Sequence, residues 1–370
     1  MFSSRQHDSR PDSGCGWRLY PACSGCERRP GCEMSTILPN GKLPPDLLQR
    51  LISSMPQQDS RVLLGPGIGL DCAVVEPSAN LLVFKSDPIT FATDEIGWYA
   101  VQVNTNDIAT TGAIPRWFLV TTLLPGGQTT AEMVEKIGAQ LSRACSEIGV
   151  TVIGGHTEIT SVVERPVMMG TMIGEVARDR LITPRGAQAG DLVLLTKGVP
   201  IEATAILARE FHQKLLPLLG DAALQRAQAY LYDPGISILR EAQTATQSGR
   251  VTAMHDPTEG GVAAALWELA EASACTLLID PQKINIPSLS AQICQVFDIE
   301  PLAAIASGAL LLTVQAEDGD RICSAIEKEG IPCSIIGRVE TGPPEVWQTT
   351  PQGRSLLPRP ERDELARIFE

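Results

Sequence analysis

The segment from Thr93 to Gly112 constrains this chain most strongly, because its periodicity predicts a helix with a carboxylate on its apolar face. Thr93 or Asp94 can cap the amino end of this helix, and Gly112 marks its carboxyl end. The apolar stripe consists of Ile96, Tyr99, Ala100 and Val103. At about 100° per residue, Asp107 falls inside this stripe, with Asn104 beside it. A carboxylate in apolar surroundings is costly unless it is paired, hydrogen-bonded or bound to a cation. Two explanations stay open: an aspartate satisfied by local backbone donors, or a cation or phosphate site.

Two earlier apolar elements also carry an aspartate. Asp71 follows the glycine-rich stretch 65–69 and begins an apolar strand, and Asp87 ends the predicted strand LLVFKSDPIT. Either residue alone is typical of a turn or a cap. Carboxylate oxygens combined with substrate phosphates are the ligands that Mg²⁺ prefers. The sequence therefore predicts a Mg²⁺ site formed by Asp71, Asp87 and Asp107.

A second candidate site follows the predicted strand Val150–Ile153, which leads into Gly-Gly-His-Thr-Glu at 154–158. Ligands of α/β folds gather at the carboxyl ends of strands. His156 can carry a proton, donate a hydrogen bond to phosphate or bind a metal. The alternative is an ordinary turn histidine.

A third candidate site is the stretch His-Asp-Pro-Thr-Glu-Gly-Gly at 255–261, which follows a predicted strand. Asp256 is predicted to cap a helix, with proline at its first position and Glu259 at the capping-box spacing. Two glycines at a helix start cost roughly 1 kcal/mol each relative to alanine. Close approach of their amide groups to an anion would offset that cost. Tight packing between the helix and a strand is the alternative.

Composition narrows the class of protein. A chain of 370 residues with 44% hydrophobic and 4% aromatic residues is expected to form two domains with aliphatic cores. The net charge of −13 argues against a nucleic-acid or anionic membrane surface. No apolar run approaches the ~20 residues of a membrane span, and no secretory signal is visible. We therefore expect a cytoplasmic protein.

Residues 1–35 differ from the rest of the chain, being rich in Ser, Arg, Pro and Gly without periodicity. They contain Cys15, Cys23, Cys26 and Cys32, four thiols that could bind zinc. Their spacing matches no closed zinc-finger pattern. The segment is predicted to be a disordered extension, with a metal-binding module as the alternative.

Six motifs, taken together, resemble a known superfamily. GIGLDCAVV, KSDPIT, NTNDIATTGAIP, GGHTEIT, HDPTEGGVAAAL and SGALLL occur in this order between about Gly65 and Val339. They are similar to motifs of aminoimidazole ribonucleotide (AIR) synthase, the hydrogenase maturation factor HypE, thiamine-monophosphate kinase and selenophosphate synthetase. HypE-like, AIR-synthase-related proteins are the nearest match.

The resemblance implies an α/β (α+β) fold with two domains. Residues 36–177 would form an N-terminal, ferredoxin-like, ATP-binding domain whose sheet pairs with that of a second subunit in a homodimer. Residues 190–345 would form the C-terminal α/β domain, and 346–370 a tail and helix.

The resemblance also implies the chemistry. ATP would lie between the domains with Mg²⁺ on Asp71, Asp87 and Asp107, and an oxygen of a small-molecule substrate, often an amide oxygen, would attack the γ-phosphate. The implied nucleotide-binding residues are Asn104, Gly154, Gly155, Thr157, Thr258, Gly260 and Gly261. The implied catalytic residues are His156, Asp256 and Glu259.

Two further functions stay open. HypE itself ends in an acceptor cysteine, whereas this chain ends in Glu370. That difference suggests a nucleotide-binding maturation or regulatory partner without turnover. The stretch GLDCAVV is similar to thiamine-monophosphate kinase, which suggests a small-molecule kinase. Selenophosphate synthetases carry a lysine close to a reactive N-terminal cysteine, and the sequence around Cys15 lacks it.

Overall fold

Two β-sheets with helices packed against them form the framework of the computed structural model. The structure describes residues 37–38, 41–56, 59–66, 74–90 and 94–369. Three predictions lie outside the described residues: the cysteine-rich segment 1–35, the metal ligand Asp71 and the helix cap Thr93.

The first sheet and a short ribbon are built from the amino-terminal half of the chain. In chain order the described strands are β1 (Gly41–Lys42), β2 (Val62–Leu64), β3 (Val74–Val75), β4 (Leu81–Ile89), β5 (Ile114–Pro125), β6 (Thr151–Thr160) and β7 (Val167–Val176). The sheet has the order β1-β6-β5-β7-β4, with β5 and β6 parallel and the other neighbours antiparallel. Strands β2 and β3 pair separately.

The helices of this half are α1 (Pro45–Ser53), α2 (Ile96–Ala109) and α3 (Ala131–Ile148). Helix α2 buries the predicted apolar residues Ile96, Tyr99 and Ala100. The predicted cap of α2 is wrong: Glu95 precedes the helix in a left-handed conformation, and the helix has no side-chain cap. Asp94 instead pairs with Arg209, whose Nη1 lies 2.6 Å from Asp94 Oδ2.

The second sheet is built from the carboxyl-terminal half. Its described strands are β8 (Leu192–Thr196), β9 (Val251–His255), β10 (Thr276–Ile279), β11 (Leu311–Val314), β12 (Cys333–Glu340), β13 (Val346–Thr350) and β14 (Gly353–Leu356). The order is β14-β13-β10-β12-β8-β11-β9, and β10 and β13 are the parallel pair. The final two strands extend this sheet from residues predicted to form a tail.

The helices of the second half are α4 (Ile201–Glu210), α5 (His212–Leu219), α6 (Asp221–Ala229), α7 (Leu239–Ser248), α8 (Gly261–Ser273), α9 (Ser288–Phe297), α10 (Gly319–Lys328) and α11 (Ala366–Phe369). Single helical turns occur at Arg178–Arg180, Leu231–Gly235, Pro281–Lys283, Pro301–Ala303 and Ala316–Asp318. Within the described ranges, no helix is both long and apolar enough to cross a bilayer.

The sequence at 154–158 was predicted to follow a strand, and the structure corrects this. Strand β6 continues through these residues to Thr160, because β5 lies alongside it as a parallel partner from Trp117 to Pro125. A Cβ atom on Gly155 would lie 1.9 Å from the carbonyl oxygen of Val120, so this glycine allows the close approach of the two strands.

The two halves share a junction at helix α2. One apolar cluster runs from Ile96 on α2 to Ile201 and Ile206 on α4. Asn106, which is fully buried, adds polar contacts across the same junction. Its Nδ2 donates to the carbonyl of Ile236 at 2.8 Å, and its Oδ1 accepts the amide of Ile238 at 3.0 Å. Helix α2, which belongs to the first half, therefore also holds the second half in place.

Candidate functional site

A cavity of about 440 Å³ lies where β4 and α2 of the first half face α4 and α8 of the second. Its volume falls in the usual range of small-molecule sites. Charged and polar side chains from both halves line it: Lys85, Asp87, Tyr99, Glu202, Thr258, Glu259, Glu268 and Ser307. The cavity therefore depends on elements separated by more than half of the chain.

Lys85 joins two of the predicted metal ligands. Its Nζ lies 3.0 Å from Asp87 Oδ2 and 3.3 Å from Asp107 Oδ1. Asp87 lies near the end of β4, which runs to Ile89, one residue beyond the predicted end at Asp87-Pro88. The side chain of Asp107 is 25% exposed and faces this charged cluster rather than the core. Burial raises the pKa of Asp107 to about 6, against the opposing effect of Lys85.

Asn104 fixes the position of Asp87. Its Oδ1 accepts the backbone amide of Asp87 at 2.9 Å, and its Nδ2 donates to the carbonyl of Ala100 at 2.8 Å. Since Asn104 is fully buried, these bonds are shielded from water. The side chain thereby ties strand β4 to helix α2 beside the cavity.

Asp256 approaches the same cluster from the second half of the chain. It is 5% exposed, and its Oδ2 has no hydrogen-bond partner. Burial raises the pKa of Asp256 to about 7, and the charge of Asp107 contributes in the same direction. Asp256 is not the predicted helix cap, because α8 begins at Gly261 with Gly260 preceding it. A buried carboxyl oxygen without a partner is a natural contact for a proton, a cation or a ligand donor.

Packing and backbone conformation explain why glycine stands at both 260 and 261 in this structure. The amide of Gly260 donates to Asp363 Oδ2 at 2.7 Å. A Cβ atom on Gly261 would lie 2.5 Å from the carbonyl oxygen of Leu302. Both glycines have positive φ angles, so the conformation itself favours glycine. Their role in binding a nucleotide remains a prediction.

The structure brings together some predicted site residues and separates others. Thr258 and Glu259 line the cavity with Asp87, and Asp107 and Asp256 adjoin it. The stretch 154–158 lies within β6, away from the described cavity lining. His156 is half-exposed there, with Nε2 3.5 Å from Glu158 Oε2. The predicted residues Gly154, Gly155, His156 and Thr157 are thus outside this cavity.

Sequence reasoning missed several cavity residues. Lys85 stands two positions before Asp87, a spacing that places both on one face of a strand. Glu202 lies among apolar and small residues of α4, the same signal that singled out Asp107. Glu268 on α8 carries a further charge, and its Oε2 lies 2.9 Å from Nε2 of His255.

A metal ion bound by protein groups alone needs several ligands close together. Within the described part of the chain, no set of three or more His, Cys, Asp and Glu side chains is arranged to hold a metal ion. Asp87 and Asp107 supply two carboxylates, and Mg²⁺ commonly binds through one or two carboxylates together with substrate phosphates. These residues therefore fit a Mg²⁺ ion carried in with a nucleotide better than a metal bound by protein alone.

The sheets and the cavity between them define a two-domain α/β protein with a polar, acidic site at the domain junction. The family model of the AIR synthase related protein N-terminal domain matches residues 69–176, and that of the C-terminal domain matches residues 188–348. The chain belongs to the AIR synthase related family, in the superfamily that includes HypE.

Relatives agree with this assignment. A putative hydrogenase expression/formation protein of Methanocaldococcus jannaschii is 29% identical over 82% of this chain and 90% of its own length. Carbamoyl dehydratase HypE of Rhizobium leguminosarum is 28% identical over 68% of this chain and 70% of its own length. The crystal structure of hydrogenase maturation protein HypE in complex with ATP superposes with a TM-score of 0.70 at 22% identity, covering 85% of this chain and 94% of the other. The predicted mixed α/β, two-domain AIR-synthase-type architecture is confirmed.

Proposed function

We propose that this protein is an ATP- and Mg²⁺-dependent enzyme that phosphorylates a carbonyl or amide oxygen of a small molecule. The observation that carries the proposal is the cluster of Lys85, Asp87 and Asp107, which the unpartnered carboxyl oxygen of Asp256 approaches from the other domain. The solved complex of the related HypE with ATP supports a nucleotide in this superfamily fold.

The charges of the cluster suit a metal-bound triphosphate. When bound, Mg²⁺ would neutralise phosphate charge, with Asp87 and Asp107 as its protein ligands. The ammonium of Lys85 lies between these two carboxylates. Because Mg²⁺ would take over both carboxylates, Lys85 would be free to contact a phosphate oxygen. Phosphoryl transfer needs mainly positioning and charge neutralisation, and such a cluster provides both.

Asp256 is suited to proton transfer. Its raised pKa of about 7 lets Oδ2 hold or accept a proton near neutral pH. Thr258 and Glu259 follow in the same loop and line the cavity. We assign this loop to the substrate side of the reaction, with Asp256 and Glu259 as acid–base candidates. His156 remains a catalytic candidate from the resemblance alone.

A homodimer and a cytoplasmic location belong to the same proposal. On one face of the first sheet, strands β4 and β7 expose Leu82, Phe84 and Met169, and Phe84 is 63% exposed. An exposed apolar sheet face is typical of a protein contact. The names of its relatives link them to hydrogenase maturation, so a maturation protein is a further candidate partner.

The first experiment is calorimetric titration of ATP into the protein with and without Mg²⁺. We expect Mg²⁺-dependent binding, and we expect Asp107→Asn to weaken it at least tenfold, about 1.4 kcal/mol. Asp221→Asn, an exposed aspartate on α6, is the matched control and should bind normally. Equal binding by wild type and Asp107→Asn would contradict the assigned cluster.

Turnover is tested separately by measuring ADP release with pools of carbonyl, amide and phosphate-ester metabolites. ATP binding without substrate-dependent ADP release in any pool would favour the alternative of a nucleotide-binding regulatory or maturation partner. Release with a phosphate-ester acceptor would favour the small-molecule kinase.

A further inference from the structure

Two buried polar groups at one end of the cavity are not used by the proposed phosphoryl transfer. The hydroxyl of Tyr99 is buried without a hydrogen-bond partner, on a residue that is 2% exposed and lines the cavity. Glu202 also lines the cavity and is 4% exposed. A tyrosine hydroxyl that is removed from water normally finds a partner. Its lack of one points to a ligand group that enters this end of the cavity.

The position of Glu202 is fixed by its surroundings. Its Oε2 accepts the backbone amide of Ser307 at 3.3 Å, and the amide of Ala203 donates to the carbonyl of Ile305 at 3.2 Å. The first turn of α4 is thereby attached to the loop 305–307. Glu202 is presented to the cavity by a rigid helix, as expected for a recognition residue.

The charges around Glu202 favour a cation. After burial and the bond from Ser307, the strongest influences on the pKa of Glu202 are the negative charges of Asp363 and Glu259. Burial and these charges raise the pKa of Glu202 to about 7. A bound cation would reverse this effect and stabilise the ionised carboxylate. An anionic group at this place would meet repulsion from every one of these carboxylates.

Three other charged residues of the cavity, Lys85, Asp87 and Glu268, are already paired. Lys85 contacts Asp87 and Asp107, and Glu268 contacts His255. Asp107 follows Tyr99 by eight positions on α2, about 12 Å along the helix, and Glu202 lies on α4, close enough to Tyr99 to act on its hydroxyl electrostatically. The cavity thus has a cluster suited to phosphates and a second, acidic region at Tyr99 and Glu202.

We infer that Tyr99 and Glu202 form a subsite for a protonated amino group carried by the small-molecule substrate. The ammonium donates one hydrogen bond to the Glu202 carboxylate and another to the Tyr99 oxygen. The inference rests on the proposed function in one respect, namely that the cavity binds a small molecule beside the nucleotide. To the proposed function it adds the charge of one substrate group and the two residues that select that group.

The test uses three probes of similar size and different charge: n-propylammonium, n-propanol and propionate. Binding to the full chain is measured by ligand-detected NMR titration at neutral pH. We expect the ammonium to bind at least about tenfold more tightly than the alcohol, and propionate to bind most weakly. Propionate binding as tightly as the ammonium would overturn the inference.

Three variants locate the binding. Glu202→Gln keeps the shape of the side chain and should weaken ammonium binding about tenfold, and Tyr99→Phe should weaken it a few-fold. Glu210→Gln, on the exposed end of the same helix, is the matched control and should bind like wild type. Ammonium binding unchanged in both Glu202→Gln and Tyr99→Phe would overturn the assignment. Tyr99→Phe tests the subsite even where Glu202→Gln fails to fold.

Two further measurements separate this inference from the proposed function. Titration of Mg²⁺-ATP into Glu202→Gln should give wild-type affinity, since the assigned phosphate cluster consists of Lys85, Asp87 and Asp107 and does not include Glu202. Failure of wild-type protein to bind ATP would remove the proposed function and leave the amine result standing. Binding of Mn²⁺ that Glu202→Gln abolishes, together with no binding of n-propylammonium by the wild type, would instead identify the Glu202 end as a metal site and overturn the inference.

Discussion

The Oδ1 atom of Asn104 accepts the backbone amide of Asp87 at 2.9 Å, and this bond connects strand β4 to helix α2 at the cluster. The predicted metal ligand Asp87 is therefore positioned through its backbone. Two residues singled out separately in the sequence prove to be one structural unit.

Asn104→Ala is expected to lower stability by about 2 kcal/mol, because it leaves the Asp87 amide without its partner. It should also weaken Mg²⁺-ATP binding by displacing Asp87. Chemical denaturation and calorimetry measure the two effects. Gln140→Ala is the control, since Gln140 accepts the amide of Gly97 at 3.1 Å on the other side of α2. That variant should lose stability and keep its nucleotide affinity; weakened binding in both variants would mean a general loss of structure.

Asn106→Ala is expected to loosen the junction between the domains. The change removes the amide nitrogen that donates to the Ile236 carbonyl and the oxygen that accepts the Ile238 amide. Leaving these two buried groups unsatisfied costs about 2–4 kcal/mol. Asn106→Asp keeps the acceptor but places a carboxylate oxygen against the Ile236 carbonyl in a fully buried site, so it should also lose stability, and lose more at pH 7 than at pH 5. Differential scanning calorimetry should show both variants melting below wild type, and a variant as stable as wild type would contradict the assigned bonds.

Glu175 makes stability depend on acid pH. Burial alone would raise its pKa, but hydrogen bonds from Arg61 at 2.8 and 2.9 Å and from Ser78 at 2.7 Å hold the pKa of Glu175 below its ordinary value. A depressed pKa stabilises the fold above the unfolded-state value, about 4.3, and this contribution disappears as pH falls through the lower folded-state pKa. Glu175→Gln should be less stable than wild type by about 2 kcal/mol at pH 7.

Denaturation curves at pH 7 and near pH 3.5 test this dependence. The difference between wild type and Glu175→Gln should shrink at the lower pH, because Glu175 is then largely protonated in the unfolded wild-type chain, while its lowered pKa resists protonation in the folded state. An equal difference at both pH values would indicate that the glutamine variant perturbs packing only.

Cys323 and Cys333 are expected to form a disulfide more readily than the other described cysteines. Their sulfur atoms lie 2.9 Å apart, one on α10 and the other at the start of β12. The hydrogen bond from Cys333 lowers the pKa of the Cys323 thiol, which favours the reactive thiolate. Treatment with glutathione disulfide, followed by digestion and mass spectrometry, should link the two peptides and release two equivalents of glutathione thiol.

Cys333→Ser is the variant that tests this pairing, and Cys294→Ser is its control because Cys294 is buried in a different cluster. The first should accumulate no internal disulfide, whereas the second should behave like wild type. Linkage of Cys323 to any other cysteine in the unsubstituted protein would contradict the described geometry.

Sequence periodicity predicted α2 and its unusual aspartate, because a carboxylate at an apolar position is visible without a structure. It could not show that the partner of Asp107 is Lys85, since that contact joins a strand to a helix. It also placed the cap on Thr93 or Asp94, and the carboxylate of Asp94 pairs instead with Arg209 of the second domain.

The stretch 154–158 shows why other features of the fold and the site could not be predicted from the sequence. Glycine pairs normally indicate the end of a strand, and the prediction followed that rule. Here the neighbouring strand β5 is long enough to pair with each residue from Gly154 to Thr160, and tertiary pairing overrides the local preference. The same limitation affected Asp256, because the contact of Gly260 with Asp363 reaches across 103 positions.

The bond between Gly260 and Asp363 also bears on how the protein is made. A chain emerging from the ribosome can fold its first sheet and α2 early, since domains generally fold in order of synthesis. The loop 256–260 obtains its fixing contact only after residue 363 has emerged. Until that moment the loop 256–260 lacks this contact, so we expect the second half of the cavity to be completed only after residue 363 has left the ribosome.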